Sequence, residues 1–260
     1  MALDFPRLLA ELSDESGALL GCLAGLGADQ WDQPTPAAGW AIRDQMSHLA
    51  FFDDIAHLAL SDADAFRAEA ERLSGGGMDF PDRVAEQHRA MTPADVTEWF
   101  KNSRARLLAA FASEDPRRRL PWFGPDMSVA SSATARLMET WAHGQDVYDT
   151  VGVAHPASTG LRSIAHLGVS TFGFAHRLNG LEVPDDPVRV DLRGPDSDEI
   201  WRWGPADAHN RVVGQAEDFV LVVTQRRRVG DTALEIHGSV ASTWMDIAQA
   251  FAGAPSRRSR

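Results

Sequence analysis

Leu8, Leu9, Leu12, Leu19, Leu20, Leu23 and Leu26 recur at spacings of three, four and seven residues. That is the period of one helix face, and it predicts a first helix from Phe5 to about Leu26. A second apolar stripe, Ile42, Met46, Leu49, Phe52, Ile55 and Ala59, predicts a helix from Ile42 to about Leu60. Gly75-Gly76-Gly77 breaks the pattern, and a shorter helix is expected from about Pro81 to Met91. Thr92-Pro93-Ala94-Asp95 then reads as a helix start: a capping hydroxyl, a proline in the first turn and an acid at the positive end of the dipole. That helix runs to about Phe111. A Pro- and Arg-rich loop, Asp115 to Pro125, leads to a fourth long helix from Ser128 to Thr150, stopped by Gly152. Four long helices in series make an antiparallel bundle the economical arrangement.

The texture changes after residue 155. Ser158 to Leu178 reads as one more helix, closed by Asn179-Gly180. Val188 to Leu192 and Ile200 to Trp203 alternate apolar and polar side chains as half-buried strands do, across a Gly-Pro-Asp turn. Ala216 to Thr224 is expected to be helical, Ala233 to His237 a strand, and Ser239 to Phe251 a final helix. The fold class expected is therefore mainly α, a helical bundle followed by a small α+β unit. The tail Pro255 to Arg260 is expected to be disordered, and no internal repeat is evident.

At 260 residues, 44% of them hydrophobic, the chain can bury a core in each of two compact units. The single Cys22 excludes an intramolecular disulfide, and the N-terminal residues carry acids where a signal peptide would carry a basic start, so a cytoplasmic location is expected. No stretch is long and apolar enough for a membrane helix. A net charge of −12 argues against a nucleic-acid partner, the runs Arg117–Arg119 and Arg226–Arg228 being local exceptions.

The candidate chemistry lies in helical phase. Glu139 and His143 are four residues apart, so they lie within about 40° of each other on one helix face. Such a pair is often a solvated surface pair, but with one more histidine it becomes the two-imidazole, one-carboxylate set of open divalent-metal sites. His48 on the second helix is the candidate third ligand. Asp146, three residues past His143, and Asp44, one turn before His48, are placed to support the imidazoles from behind. His57 lies about half a rotation from His48 and does not share its face. Cys22, within Leu19-Leu20-Gly21-Cys22-Leu23, reads as an inert core thiol. His166 and His176 are out of phase with each other, and His237 reads as structural. Most tryptophans are expected in the core, with Trp122-Phe123 and Trp141 as candidates to line a pocket.

The stretch Gly39-Trp40-Ala41-Ile42-Arg43-Asp44-Gln45-Met46-Ser47-His48-Leu49, with Glu139-Thr-Trp-Ala-His143-Gly-Gln-Asp146 farther on, resembles the DinB-like superfamily. Within it the chain is most similar to the mycothiol-dependent maleylpyruvate isomerase group. The resemblance implies a DinB-like four-helix bundle over residues 1–155 and a sterol-carrier-protein-like α+β domain over 156–254, with 255–260 as tail. It implies metal ligation by His48, Glu139 and His143. It also implies an arginine lent by the second domain, for which Arg226, Arg227 and Arg228 are candidates; a solvated basic strand end is an equal reading of those residues.

The expected cofactors are a divalent metal, zinc first with iron, nickel, cobalt and manganese open, and a thiol such as mycothiol. The expected function is metal- and thiol-dependent isomerisation, conjugation or transfer on a small organic substrate. Two other readings stay open. One is a metal-activated hydrolase needing no thiol. The other is a non-catalytic metal- or ligand-binding module, for which Asp146 or His57 would supply a fourth ligand. Substrate and oligomeric state, a homodimer included, are left open.

Overall fold

The computed structural model describes residues 4–253 except 78 and 196–198, so the expected tail Pro255–Arg260 lies outside the described residues. Contacts divide the chain into one unit that runs to Pro156 and a second, Ala157–Phe251.

In the first unit, α1 (Phe5–Leu23) starts on Asp4, whose carboxylate accepts the amide of Arg7 at 3.1 Å. It stops three residues short of the expected Leu26, because Gly25 and Gly27 flank that leucine and weaken the last turn. Asp62 ends α2 (Ile42–Ser61) and caps α3 (Ala63–Ser74) by accepting the Ala65 amide at 3.0 Å. The sequence pattern gave no sign of α3 as a separate helix, since it buries just Phe66 and Leu73. Then come α4 (Phe80–His88) and α5 (Pro93–Ala112), the latter capped by Thr92. The expected loop contains a short antiparallel pair, β1 (Arg119–Leu120) with β2 (Met127–Ser128). Finally α6 (Val129–Val151) ends at Gly152, whose φ of 72° is the left-handed conformation that glycine adopts without strain.

The bundle is α1, α2, α5 and α6. Helix α2 packs on α5 and α6, and α1 on α6 and α5. Leu19, Ile42, Met46, Leu49, Phe100 and Val147 fill one part of the core, and an aromatic group of Phe52, Phe66 and Phe80 fills another, with Trp122 and Phe123 packed on its edge. Trp122 stacks on Phe66.

The centre of the bundle is polar. Asp53 of α2, 0% exposed, accepts Nε and Nη2 of Arg104 of α5 at 2.7 and 3.0 Å and Nε of Arg136 of α6 at 3.1 Å. Arg104 also donates to Ser16 Oγ of α1 at 2.7 Å and to Thr140 Oγ1 of α6 at 3.0 Å. One network thus fastens all four helices. Burial pulls the Arg104 pKa below its usual value against the opposing pull of Asp53.

In the second unit the expected helix Ser158–Leu178 is two helices, α7 (Leu161–Ser170) and α8 (Phe172–Leu178), parted at Thr171, whose hydroxyl donates to the Gly168 carbonyl at 2.9 Å. Gly168 is where α7 meets α9 (Ala216–Val223): a Cβ there would come 2.8 Å from Val223 Cγ2. A four-stranded sheet runs in the order β4-β3-β5-β6, with β3 (Val188–Arg193), β4 (Ile200–Trp203), β5 (Asn210–Gln215) and β6 (Glu235–His237). Strand β3 pairs antiparallel with β4 and parallel with β5, and β5 antiparallel with β6. The sequence reading missed β5, because its polar ends and Gly214 blur the alternation. Helix α10 (Ser239–Ile247) ends four residues before the expected Phe251, and the chain beyond it is tied back by a bond from the Ala250 amide to the Val223 carbonyl at 2.8 Å. No described helix is long and apolar enough to cross a membrane.

Candidate metal centre

The packing of α2 on α6 brings His48 to the Glu139–His143 face. Glu139 Oε2 lies 3.0 Å from Nε2 of His143 and 3.4 Å from Nε2 of His48. The donor atoms of the three residues all lie within 4.8 Å of one another. Two ligands bonded to one zinc ion at about 2.0–2.1 Å and the tetrahedral angle stand roughly 3.3 Å apart. Two imidazole nitrogens and a carboxylate oxygen at this spacing fit a divalent ion. Among the described residues no fourth His, Cys, Asp or Glu joins the group, and His57 stays outside it.

The electrostatics suit the same role. Burial opposes ionisation of Glu139, yet the hydrogen bonds and charges of His143 and His48 hold its carboxyl well below the usual range. The group is sunk without being sealed: the side chains of Glu139 and His143 keep 22% and 12% of their exposure.

Behind His143 stands Gln45, which the sequence reading did not single out. Gln45 Nε2 donates to Thr35 Oγ1 at 2.8 Å, and that hydroxyl donates to the Trp40 carbonyl at 2.9 Å. The amide orientation is therefore set, Oε1 faces Nδ1 of His143 in a short bond, and the imidazole keeps its proton on Nδ1. Nε2 is the atom turned to the shared point. The signal was available in the spacing: Gln45 is three residues before His48 and shares its face.

One expected support acts elsewhere. Asp44 turns to the start of α2, its Oδ2 accepting the Ala41 amide at 2.9 Å and its Oδ1 accepting Arg89 Nε at 3.1 Å, so it caps the helix rather than holding His48. Asp146 is fully buried on α6, and Gln45 meets Nδ1 of His143.

Aromatic rings wall the group. Trp40 stacks on His143 with centroids 5.7 Å apart and tilts over His48 at 5.1 Å, its indole N–H donating to Asp82 at 2.7 Å. Phe52 lies 4.5 Å from the His48 ring, and Phe123 lies 6.0 Å from Phe52. Trp141 faces elsewhere, buried and stacked on His155.

Arg226 and Arg227 belong to the second unit. They follow the C-terminus of α9 rather than ending a strand, and their Nη1 atoms donate to the carbonyls of Thr224 and Arg226, each at 2.8 Å. Cations suit that position, beside the negative end of the helix dipole. Cys22 is half-buried and its thiol pKa is raised by burial, the opposite of an activated nucleophile. His176 turns Nδ1 to the Phe172 carbonyl, and His166 Nδ1 accepts the indole N–H of Trp203 at 3.1 Å.

Residues 12–148 match the family model of the mycothiol maleylpyruvate isomerase N-terminal domain. Uncharacterized proteins of Mycobacterium tuberculosis, from strains CDC 1551 / Oshkosh and H37Rv, are each 46% identical to the chain over 249 residues, covering 96% of it and 96% of their own length. The crystal structure of the mycothiol-dependent maleylpyruvate isomerase aligns with a TM-score of 0.59 at 13% identity, covering 90% of this chain and 93% of that one. A histidine-to-alanine mutant of that enzyme aligns with a TM-score of 0.56 at 14% identity, covering 86% and 90%. At such identities the likeness is one of fold.

Proposed function

Since the chain belongs to the mycothiol maleylpyruvate isomerase N-terminal domain family, we propose that it is a metal-dependent enzyme that acts on a small organic electrophile with a low-molecular-weight thiol of the mycothiol kind. The observation that carries this reading is the convergence of His48 Nε2, Glu139 Oε2 and His143 Nε2 on one point with no fourth protein donor among the described residues. Those three would hold a divalent ion, with zinc the first choice by donor type. Such an ion supplies Lewis acidity, which lowers the pKa of a thiol and stabilises negative charge as it develops.

The chain's own residues prepare the place. Gln45 keeps the His143 proton on Nδ1, so Nε2 stays available. Glu139 is held ionised by N–H donation from its two histidines, whose Nε2 protons a bound ion would replace. Trp40 and Phe52 cover the imidazoles with apolar rings and thin out water around the reacting groups. Cys22, the chain's one thiol, is not activated, and this favours a nucleophile brought in by a cofactor. In this reading residues 1–155 form the metal-binding bundle, and Arg226 and Arg227 are the candidate cations of the α+β domain. A cytoplasmic setting, where such thiols stay reduced, goes with it.

The test combines elemental analysis with a mycothiol titration followed by calorimetry, on the wild type and on His48→Ala. Near-stoichiometric metal in the wild type and its loss in the variant are expected, together with thiol binding that depends on metal. Metal-loaded protein that ignores mycothiol yet hydrolyses a substrate without thiol would overturn the thiol reading in favour of a hydrolase.

A further inference from the structure

We infer that the second unit carries a binding site for a small oxyanion, a phosphate or a carboxylate, held by His209, Arg211 and His237. An open surface depression of about 420 Å³ lies there, lined by the exposed Ala206, Asp207, His209, Arg211 and His237 around the buried Ala208. That volume falls within the roughly 300–1,000 Å³ of small-ligand pockets. None of these residues takes part in the metal centre, so the site stands or falls apart from the reading above.

The sheet builds the cluster. Arg211 of β5 and His237 of β6 are direct cross-strand partners. Side chains so paired stand side by side, with Cβ atoms about 4.5–5.5 Å apart. A sheet gains most from opposite charges at such a pair, whereas this one sets two nitrogen-bearing donors together. Arg211 makes no ion pair among the described residues, in a chain with 37 acids to 25 lysines and arginines. Its Nη2 donates to the Ala206 carbonyl at 3.0 Å, which pins the guanidinium against the turn before β5 and leaves Nε and Nη1 for a ligand. His209, two residues before Arg211, adds a second imidazole to the lining.

The chain on either side of His237 and Arg211 is set in advance. Asn210 Oδ1 accepts the Val240 amide at 3.1 Å, and Gly238, at φ 84°, lets the chain leave β6 around that side chain; a Cβ at 238 would come 2.3 Å from Asn210 Oδ1. A pinned guanidinium beside two imidazoles is the donor arrangement that takes an oxyanion in a forked grip. The carboxylates present, Asp207 in the lining and Glu235 at 3.9 Å from His237 Nε2, can accept from a hydroxyl on the same ligand. A metal ion is not the occupant this lining suits: among the described residues the His48 group is the one set of three donors close enough to share an ion.

The test is a titration of the ¹⁵N-labelled full chain with inorganic phosphate and, separately, with acetate, each against matched sodium chloride. Saturable shifts confined to His209, Arg211 and His237 are expected with a dissociation constant of about millimolar or below, and saturation by one anion alone assigns the site to that chemistry. Arg211→Gln should raise the constant about tenfold or more, the loss of one charge-assisted hydrogen bond, with other resonances unmoved. Arg67→Gln, which removes the exposed partner of Asp64 on α3, should leave it unchanged. Shifts that never saturate, that chloride reproduces, or that persist equally in Arg211→Gln would overturn the assignment.

Discussion

Replacing Gln45 by leucine removes the acceptor behind His143 while keeping the volume of a side chain that is 0% exposed. In the wild type the chain Trp40 carbonyl, Thr35 hydroxyl, Gln45 amide fixes the Nδ1 proton through bonds of 2.9 and 2.8 Å and the short contact to His143. In the variant that N–H faces a methyl group, and a buried donor without an acceptor costs about 1–3 kcal/mol. The metal-loaded state needs the proton on Nδ1, whereas the empty state can move it to Nε2 beside Glu139, so most of the cost falls on metal binding. The expected result is a 10–100-fold loss of Zn²⁺ affinity, about 1.4–2.7 kcal/mol, as is usual when the support behind a ligand is removed. Competition against a chromophoric chelator at pH 7 measures this, with thermal denaturation of the metal-free protein as control. Gln45→Glu, which still offers an oxygen to Nδ1, should keep affinity within a few-fold of wild type. Equal Zn²⁺ affinity in wild type and Gln45→Leu, or equal losses in Leu and Glu, would refute the tautomer argument.

Further outcomes follow from the same geometry. Glu139→Gln and His143→Ala should each purify with metal content well below one per chain by plasma emission spectroscopy while the far-ultraviolet circular dichroism stays that of the wild type, because the bundle is closed by other contacts. Asp53→Ala strands Arg104 and Arg136 in the core without their carboxylate, and urea unfolding should show a loss of about 3–5 kcal/mol; a loss under 1 kcal/mol would show the network to be dispensable. Burial raises the pKa values of Cys22 and Tyr148 in the folded chain. Above about pH 9 the unfolded chain therefore releases protons that the folded chain retains, and stability falls as pH rises. The urea midpoint should drop between about pH 9 and pH 11, less steeply in the Cys22→Ala, Tyr148→Phe double variant; parallel slopes would contradict the assignment.

The long helices were legible because each writes its apolar stripe into 19 to 23 residues and is capped by residues that announce themselves: Thr92 before α5, Ser128 before α6, Gly152 after it. Helix α3 was not, since two buried side chains make no period. The break at Thr171 was hidden because the apolar positions of α7 and α8 run on through it. Strand β5 lies inside the sheet, where pairing on both edges outweighs a weak local pattern. At the candidate metal centre, helical phase and the family resemblance named the three residues whose donor atoms now converge. Phase alone also pointed to Asp44 and Asp146 as props, and for Asp44 the start of its own helix competes for the carboxylate. Asp44 is drawn to the Ala41 amide, and Gln45 reaches His143 across the helix interface. Trp40 went unremarked since its place above both imidazoles depends on a loop conformation held by Asp82 of α4.

The network around Asp53 ties Ser16, Arg104, Arg136 and Thr140 together by hydrogen bonds among side chains outside the His48, Glu139 and His143 group. If the proposed metal binds, loading such a scaffold is an exchange with dissolved pools, unlike a zinc finger, where the polypeptide collapses around its ion. Occupancy then records which cations the growth medium supplied. Preparations from different cultures should carry different elements, and a stripped sample should be recoverable by simple add-back, without a refolding step.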